Sequence, residues 1–314
     1  MFPVLFVAFC VIILIFFTGG YTFFAACRRA NERDFLDKNE LDQTPYGQYH
    51  DAVVATDWWL KQQKVQDIYI RNRSGLQLHA LWIPVEHAKG TVILAHGYRS
   101  SYLLDFAVVF DVYHKLGFHI LVPEQRSHGK SEGKYITFGV KESEDMQDWL
   151  AYHNTHLGNL PVFFHGMSMG ASTVLYLADA ELPGNVQGII ADCGFTSAKE
   201  IIKRVYQNLI RLPAGPAIWA ADLFARVFAG FSLSQKDTRK SLRNSKVPVL
   251  MIHGMADDFV PCSMTQQGYA ACNSEKELLL VAGATHGISF LKDPIGYTSA
   301  ICYFLKRQIK GSEY

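Results

Sequence analysis

The sequence lacks any long run of charged residues. Its 30 Lys and Arg are almost balanced by 29 Asp and Glu, and the formal net charge is +1. Binding to nucleic-acid phosphates requires concentrated positive charge, so we expect no nucleic-acid partner. No internal repeat or low-complexity tract is visible either. A chain of 314 residues is within the range of a single large α/β domain.

Paired cysteines at metal-ligand spacing are also missing, because no two of the six cysteines form a C-x-x-C motif. We therefore expect buried, reduced thiols rather than a disulfide framework in a chain of this size. We expect neither a metal nor another cofactor. The cysteines are Cys10, Cys27, Cys193, Cys262, Cys272 and Cys302.

Charge is absent from the N-terminus, where the segment from Val4 to Ala26 is strongly apolar. About 20 such residues cross a bilayer as a helix. A cleaved signal peptide is the alternative, but nothing basic precedes the segment, whereas Arg28 and Arg29 follow it. We interpret residues 1–27 as a single-pass anchor in the cell membrane. The side of the membrane stays open, since large domains can be exported regardless of flanking charge.

The polar segment 28–57 is interpreted as a linker with a short helix. A regular pattern of strands and helices begins after it. Alternating segments at 65–70 and 76–85 predict a β-hairpin. Buried-type strands and helices then alternate to the end of the chain, which predicts a mostly parallel sheet with helices on both faces over 58–314. The oligomeric state cannot be derived from these patterns.

The interval 196–246 interrupts this alternation with a helical, aromatic-rich insertion. Trp219, Phe224 and Phe228 recur at helical spacing, and we expect them to belong to a lid that contacts substrate. An ordinary packed pair of helices is an equal alternative, because amphipathic spacing alone does not distinguish the two.

One serine stands between two glycines in Gly166-Met167-Ser168-Met169-Gly170. An apolar strand precedes this segment and a helix follows it, which is the context of a nucleophile elbow, G-x-S-x-G. The glycines let strand and helix approach closely, and Ser168 is exposed in a strained turn. Ser168 is therefore the predicted nucleophile.

A serine hydroxyl needs a base, so the elbow predicts an acid and then a histidine further along the chain. An aspartate pair follows a strand in HGMADDFVP, and His286 follows the last strand in GATHG. The developing oxyanion also needs two donors. We expect these to be the backbone N–H groups of Met169, directly after the nucleophile, and Tyr98, in the loop after the strand TVILAHG.

These motifs together resemble the α/β-hydrolase superfamily of serine hydrolases, and especially bacterial membrane-anchored or exported esterases and serine aminopeptidases. The resemblance implies an α/β-hydrolase fold with a small helical lid. It favours Asp257 as the acid, although Asp258 is adjacent and some relatives place the acid at the position of Asp192. The motifs are LAHGYRSS, PEQRSHGKSEG, FHGMSMGAS, ADCGFTS, HGMADDFVP and GATHG, within 65–309.

Three functions are compatible with this reading. The first is a serine hydrolase of the carboxylesterase or lipase kind, which cleaves an ester or thioester of an apolar acyl group through an acyl-enzyme. The second is a serine peptidase of the aminopeptidase kind, which would need an anchor for a free amine. The third is a membrane-anchored binding or scaffold protein, since a fold does not by itself imply an activity.

Overall fold

The computed structural model of the protein describes residues 2–31, 33–44, 46–107, 109–210 and 213–309. Met1 of the predicted anchor, 211–212 of the predicted lid and the terminal residues 310–314 lie outside the described residues. Within those ranges the chain forms an eight-stranded sheet. The strands are β1 Gln66–Arg71, β2 Gln77–Ile83, β3 Gly90–Ala95, β4 Phe118–Pro123, β5 Val162–Met167, β6 Val186–Asp192, β7 Val249–Gly254 and β8 Lys276–Val281.

The strands are arranged in the order β1-β2-β4-β3-β5-β6-β7-β8. The β1–β2 and β2–β4 pairs are antiparallel, and every later pair is parallel. The predicted N-terminal hairpin is confirmed, with Gln66 opposite Trp82 and Arg71 opposite Gln77. The predicted mostly parallel sheet is also confirmed. The carboxyl ends of its parallel strands therefore meet at one edge, where ligands bind in such folds.

Helices cover both faces of this sheet. The described helices are α1 Phe2–Cys27, α2 Lys38–Asp42, α3 His50–Leu60, α4 Tyr102–Asp105, α5 Phe110–Lys115, α6 Glu142–Tyr152, α7 Met169–Leu175, α8 Ala198–Ile210, α9 Ala214–Phe224, α10 Thr238–Arg243, α11 Cys262–Ala271, α12 Ser289–Lys292 and α13 Pro294–Gln308.

Two buried clusters explain why the central strands are continuous apolar runs. Along β3, Ile93 packs with Trp149 of α6 on one face, and Val92 packs with Phe304 of α13 on the other. Successive side chains of a strand point to opposite faces, so both faces of β3 need apolar residues.

The N-terminal helix α1 is long and apolar enough to cross a membrane, with a mean hydropathy of 2.7 in its best window. Its C-terminal third nevertheless packs against the domain, where Phe23 and Cys27 are buried. A Cβ on Gly19 would lie 2.4 Å from the Cβ of Ala220 in α9. The absence of a side chain at Gly19 thus permits close approach of α1 and α9, so the C-terminal third of α1 is in contact with the domain.

In the segment 28–57, expected to be a linker, described residues of two short helices also pack against the domain. Leu41 of α2 and Val53 of α3 are buried in one cluster with Ala284. Tyr49 lies in a 3-10 turn, Gly47–Tyr49, and its hydroxyl donates to the carbonyl of Gly287 at 2.7 Å. The segment differs from the expected linker because apolar side chains are spaced among its polar ones. These apolar side chains bury one face of each short helix.

Candidate active site

The turn between β5 and α7 places Ser168 at the carboxyl edge of the sheet. Ser168 has φ 55° and ψ −112°, a strained backbone conformation for a residue with a side chain. A Cβ on Gly166 would lie 2.1 Å from the carbonyl oxygen of Gly170, and one on Gly170 would lie 1.7 Å from that of Ala95. The two glycines therefore permit the sharp turn, as the sequence pattern predicts.

His286 lies beside Ser168, in the loop after β8. Its Nε2 is 2.8 Å from Ser168 Oγ, and its Nδ1 is 2.6 Å from Asp257 Oδ2. The loops after β5, β7 and β8 thus bring a hydroxyl, an imidazole and a carboxylate into one hydrogen-bonded line. An imidazole in this position can accept the hydroxyl proton if the carboxylate holds the proton on the other ring nitrogen.

Asp257 is fixed by four interactions. Its Oδ1 accepts from the backbone N–H groups of Phe259 at 3.0 Å and Val260 at 2.8 Å, while its Oδ2 is 3.2 Å from Nε2 of His253 as well as 2.6 Å from His286. Burial acts to raise the pKa of Asp257, but the hydrogen bonds to His253 and His286 outweigh it and lower the pKa to about 2. The carboxylate is therefore ionised at neutral pH.

The two other candidate acids lie elsewhere. Asp258 is exposed, and its backbone carbonyl accepts a hydrogen bond from Arg204 at 2.7 Å. Asp192 is buried beneath the site, where its Oδ1 accepts from the hydroxyl of Ser289 at 3.4 Å. Burial raises the pKa of Asp192 to about 6, which disfavours the carboxylate form. Of the three aspartates, Asp257 is the one whose carboxylate is hydrogen-bonded to His286.

The loop after β3 brings the backbone of Tyr98 close to Ser168. A Cβ on the preceding residue, Gly97, would lie 3.4 Å from the Cβ of Ser168. Neither Tyr98 nor Met169 donates any of the backbone–backbone hydrogen bonds found in the turns, loops and caps of the described residues, which agrees with a role of both N–H groups as donors to an oxyanion. Asp105 holds this loop, because its carboxylate accepts from the Gly97 N–H and from the Ser100 hydroxyl.

Two cavities meet at Ser168. The first, of about 300 Å³, is walled mainly by apolar side chains and runs between α1 and α8. The second, of about 510 Å³, is more polar and is bounded by Arg33, Tyr46, Asp258 and His286. A substrate bond at Ser168 would therefore have an apolar group on one side and a polar group on the other.

The three aromatic side chains expected in the lid lie away from both cavities. Phe224 stacks on Phe228, and both rings contact Phe23 of α1. Trp219 contacts the ring of Phe16, also in α1. The helical spacing that suggested a substrate-binding lid reflects packing of α9 and the following π-helical turn, Ala225–Ala229, against the N-terminal helix.

One cluster of potential metal ligands overlaps this site. Ligand atoms of Cys193, Asp257 and His286 lie within 4.8 Å of one another. Burial raises the pKa of the Cys193 thiol well above its usual range, so the thiolate that a metal needs is disfavoured. His286 and Asp257 are hydrogen-bonded to each other. The geometry therefore favours proton transfer over metal binding.

Three supporting features were not identified from the sequence. His253 contacts Asp257, Asp105 holds the loop that carries Tyr98, and Tyr49 supports the loop of His286. The HG-x-x-D pattern contains His253, so that residue had a sequence signal. Asp105 and Tyr49 had none, because their roles depend on contacts between segments far apart in the chain.

Comparison with known proteins agrees with this architecture. The model of the family described as "Serine aminopeptidase, S33" matches residues 86–220, less than half of the chain. The uncharacterized protein YqkD of Bacillus subtilis is 26% identical over 256 residues, which cover 81% of this chain and 83% of that protein. An uncharacterized membrane protein of Saccharomyces cerevisiae is 24% identical, over 73% of this chain and 75% of its own.

Solved structures show the same fold. The esterase Pf2001 of Pyrococcus furiosus superimposes with a TM-score of 0.65 at 24% identity, covering 79% of this chain and 94% of that one. Est1E of Butyrivibrio proteoclasticus, solved with ferulic acid, gives 0.60 at 19% identity, covering 77% and 99%. With its strand order and elbow, this chain has the α/β-hydrolase fold.

Proposed function

We propose that the protein is a serine hydrolase that cleaves an acyl bond through an acyl-enzyme. The observation that carries the proposal is the hydrogen-bonded line from Ser168 Oγ through His286 to Asp257, with distances of 2.8 and 2.6 Å. A strained serine at a strand-to-helix turn, with its hydroxyl directed at an imidazole, has the arrangement of an activated nucleophile.

In the first half of the reaction, His286 Nε2 takes the proton of Ser168 as Oγ attacks the substrate carbonyl carbon. The negative charge that develops on the carbonyl oxygen is stabilised by the N–H groups of Tyr98 and Met169. The protonated His286 gives its proton to the leaving group, and the acyl group stays on Ser168. Asp257 accepts the Nδ1 hydrogen bond throughout and stabilises the imidazolium.

In the second half, water replaces the leaving group. His286 takes a proton from this water as its oxygen attacks the acyl carbon, and then returns the proton to Ser168 as the carboxylic acid departs. No metal or cofactor is needed for either half, because the proton carried by His286 balances both steps.

An ester or thioester with an apolar acyl group is the substrate class that the site favours. The cavity between α1 and α8 is lined by apolar groups such as Ile201, Ile202 and Phe195, and most ligand pockets combine such walls with few polar groups. The esterase Pf2001 of Pyrococcus furiosus has the same fold, which agrees with this preference.

A serine peptidase of the aminopeptidase kind is the second candidate, since the matching family is described as serine aminopeptidase. A free amine would need a carboxylate near the polar cavity. Asp258 is exposed at its edge, whereas Asp105 already accepts two hydrogen bonds from its own loop.

One experiment separates these functions. The full-length protein in detergent would be tested with p-nitrophenyl esters of graded chain length and with aminoacyl p-nitroanilides, and labelled with a fluorophosphonate probe. We expect Ser168-dependent ester hydrolysis and labelling. Anilide cleavage without ester hydrolysis would favour the peptidase, and no labelling or turnover would favour a binding or scaffold protein.

We also infer that α1 anchors the protein in a membrane. Its residues up to Phe17 are largely exposed although almost all are apolar, and a bilayer would cover them. Packing of Phe23 and Cys27 into the domain supports retention of the helix over cleavage as a signal. N-terminal sequencing of the mature, membrane-extracted protein tests this, because a start beyond residue 27 would contradict it.

A further inference from the structure

The N-terminal helix does more than hold the domain at a membrane, because it forms one wall of the apolar cavity beside Ser168. Tyr21, Thr22, Ala25 and Ala26 of α1 line that cavity, opposite residues of α8. We propose that α1 is part of the acyl-binding site and that the substrate is a membrane-resident amphiphile whose acyl chain enters between α1 and α8. This inference rests on the proposed hydrolase function and specifies where its substrate comes from.

Small residues allow α1 to lie close to the domain at this point. Gly19 faces Ala217 and Ala220 of α9, and a Cβ on Gly20 would lie 3.1 Å from the ring of Phe224. Closely packed small residues are a common way for helices to associate where apolar burial gives little driving force. Packing against α9 therefore sets the position of α1, and with it the position of the cavity wall that α1 forms.

The end of α1 is also attached to the loop that carries the expected oxyanion donor. The Tyr98 hydroxyl donates to the Ala26 carbonyl at 2.8 Å, and Arg99 Nη2 donates to the Ala25 carbonyl at 2.8 Å. The positive guanidinium lies at the negative end of the helix dipole, which stabilises this contact. A change in the position of α1 would thus alter the shape of the acyl cavity and also displace the backbone of Tyr98.

Exposed apolar side chains lie at the cavity and on the helix beside α1. Leu209 of α8 and Tyr21 of α1 line the cavity and are 77% and 63% exposed. The exposed side chains of Trp219, Leu223 and Val227 lie on α9 and the turn after it, beside α1. A bilayer that surrounds the first part of α1 would contact this surface too, so an acyl chain could pass from lipid to Ser168 without crossing water.

Chain-length selectivity tests the proposal. In Ala25→Trp an indole would occupy the cavity from the α1 side, and in Val205→Trp it would do so from the α8 side. Ala8→Trp makes the same change on the exposed part of α1 and is the matched control. The full-length variants would be assayed in detergent with p-nitrophenyl butyrate and dodecanoate. We expect kcat/KM for dodecanoate, relative to butyrate, to fall about tenfold or more in both cavity variants and to stay unchanged in Ala8→Trp.

Fluorophosphonate labelling of each variant reports whether the catalytic residues are intact. Labelling with an unchanged chain-length profile in both cavity variants would overturn the inference and leave the proposed hydrolase function standing. A fall that is equal for both esters, with labelling retained, would also overturn it, because cavity filling should act on the longer chain.

A binding measurement does not depend on turnover. Full-length Ser168→Ala in phosphatidylcholine nanodiscs that contain a diazirine fatty acid would be irradiated, and the modified peptides mapped. Crosslinks in residues 21–26 and 201–210 would support an acyl site between α1 and α8, even if the protein hydrolysed no ester. Crosslinks confined to the exposed part of α1 would contradict it.

Discussion

The site has two walls that are built in different ways. The sheet wall holds Ser168, Asp257 and His286 on loops at the edge of the sheet, where hydrogen bonds between their side chains and the close backbone packing at the elbow fix them. The helical wall consists of α1 and α8, which line the cavity with mostly apolar side chains, and small residues of α1 hold that helix against α9. The comparison suggests a division of roles in which the sheet wall performs the chemistry and the helical wall selects the substrate.

The largest effect should come from the sheet wall. We expect Ser168→Ala or His286→Ala to reduce kcat by about 10⁶-fold, because either change removes the activated nucleophile. The double variant should be about as inactive as either single one, since the two residues act as a unit. Steady-state hydrolysis of p-nitrophenyl butyrate measures this, and undiminished activity in purified Ser168→Ala would contradict the mechanism.

A smaller loss is expected from the acid. Asp257→Asn should reduce kcat by about 10⁴-fold, because the amide cannot stabilise the His286 imidazolium as a carboxylate does. Asp258→Asn is the matched control and should change kcat little, since its side chain is exposed. Equal losses in the two variants, measured with the same ester, would argue against Asp257 as the acid.

Because Gly170 in the elbow lies close to the backbone of β3, a side chain at this position should reduce the stability of the protein. Gly170→Ala would place a Cβ 1.7 Å from the Ala95 carbonyl oxygen, so backbone must move, and we expect the free energy of unfolding to fall by about 3 kcal/mol. Gly215→Ala, where a Cβ meets nothing within 4 Å, should change it by less than about 1 kcal/mol. Thermal unfolding in detergent compares the two, and similar melting temperatures would show that the elbow tolerates a side chain.

The smallest effect concerns the contact that joins the two walls. Tyr98→Phe removes the hydroxyl that donates to the Ala26 carbonyl but keeps the backbone N–H expected to bind the oxyanion. A hydrogen bond of this kind contributes about 1 kcal/mol, so kcat/KM for a long-chain ester should fall about fivefold. Tyr303→Phe on the exposed side of α13 should have no effect. An unchanged rate in Tyr98→Phe would indicate that the walls act independently.

The fold and the residues at the sheet edge could be predicted from local sequence patterns. The hydrophobic periods of strands and helices depend on residues that are close in the chain. The two glycines around Ser168 are likewise required by close packing within a turn of five residues. Parallel strands also require that their carboxyl ends share one edge, so the order of Ser168, Asp257 and His286 along the chain sufficed to group them.

The contacts of the helices could not be predicted in this way and became known from the structure. The aromatic spacing of Trp219, Phe224 and Phe228 was consistent with a lid, but those side chains pack against α1. The apolar run at the N-terminus indicated an anchor and gave no sign that Ala25 and Ala26 line a cavity beside Ser168. The physical reason is that an apolar face specifies burial without specifying a partner, whereas a turn with fixed backbone angles specifies its own geometry.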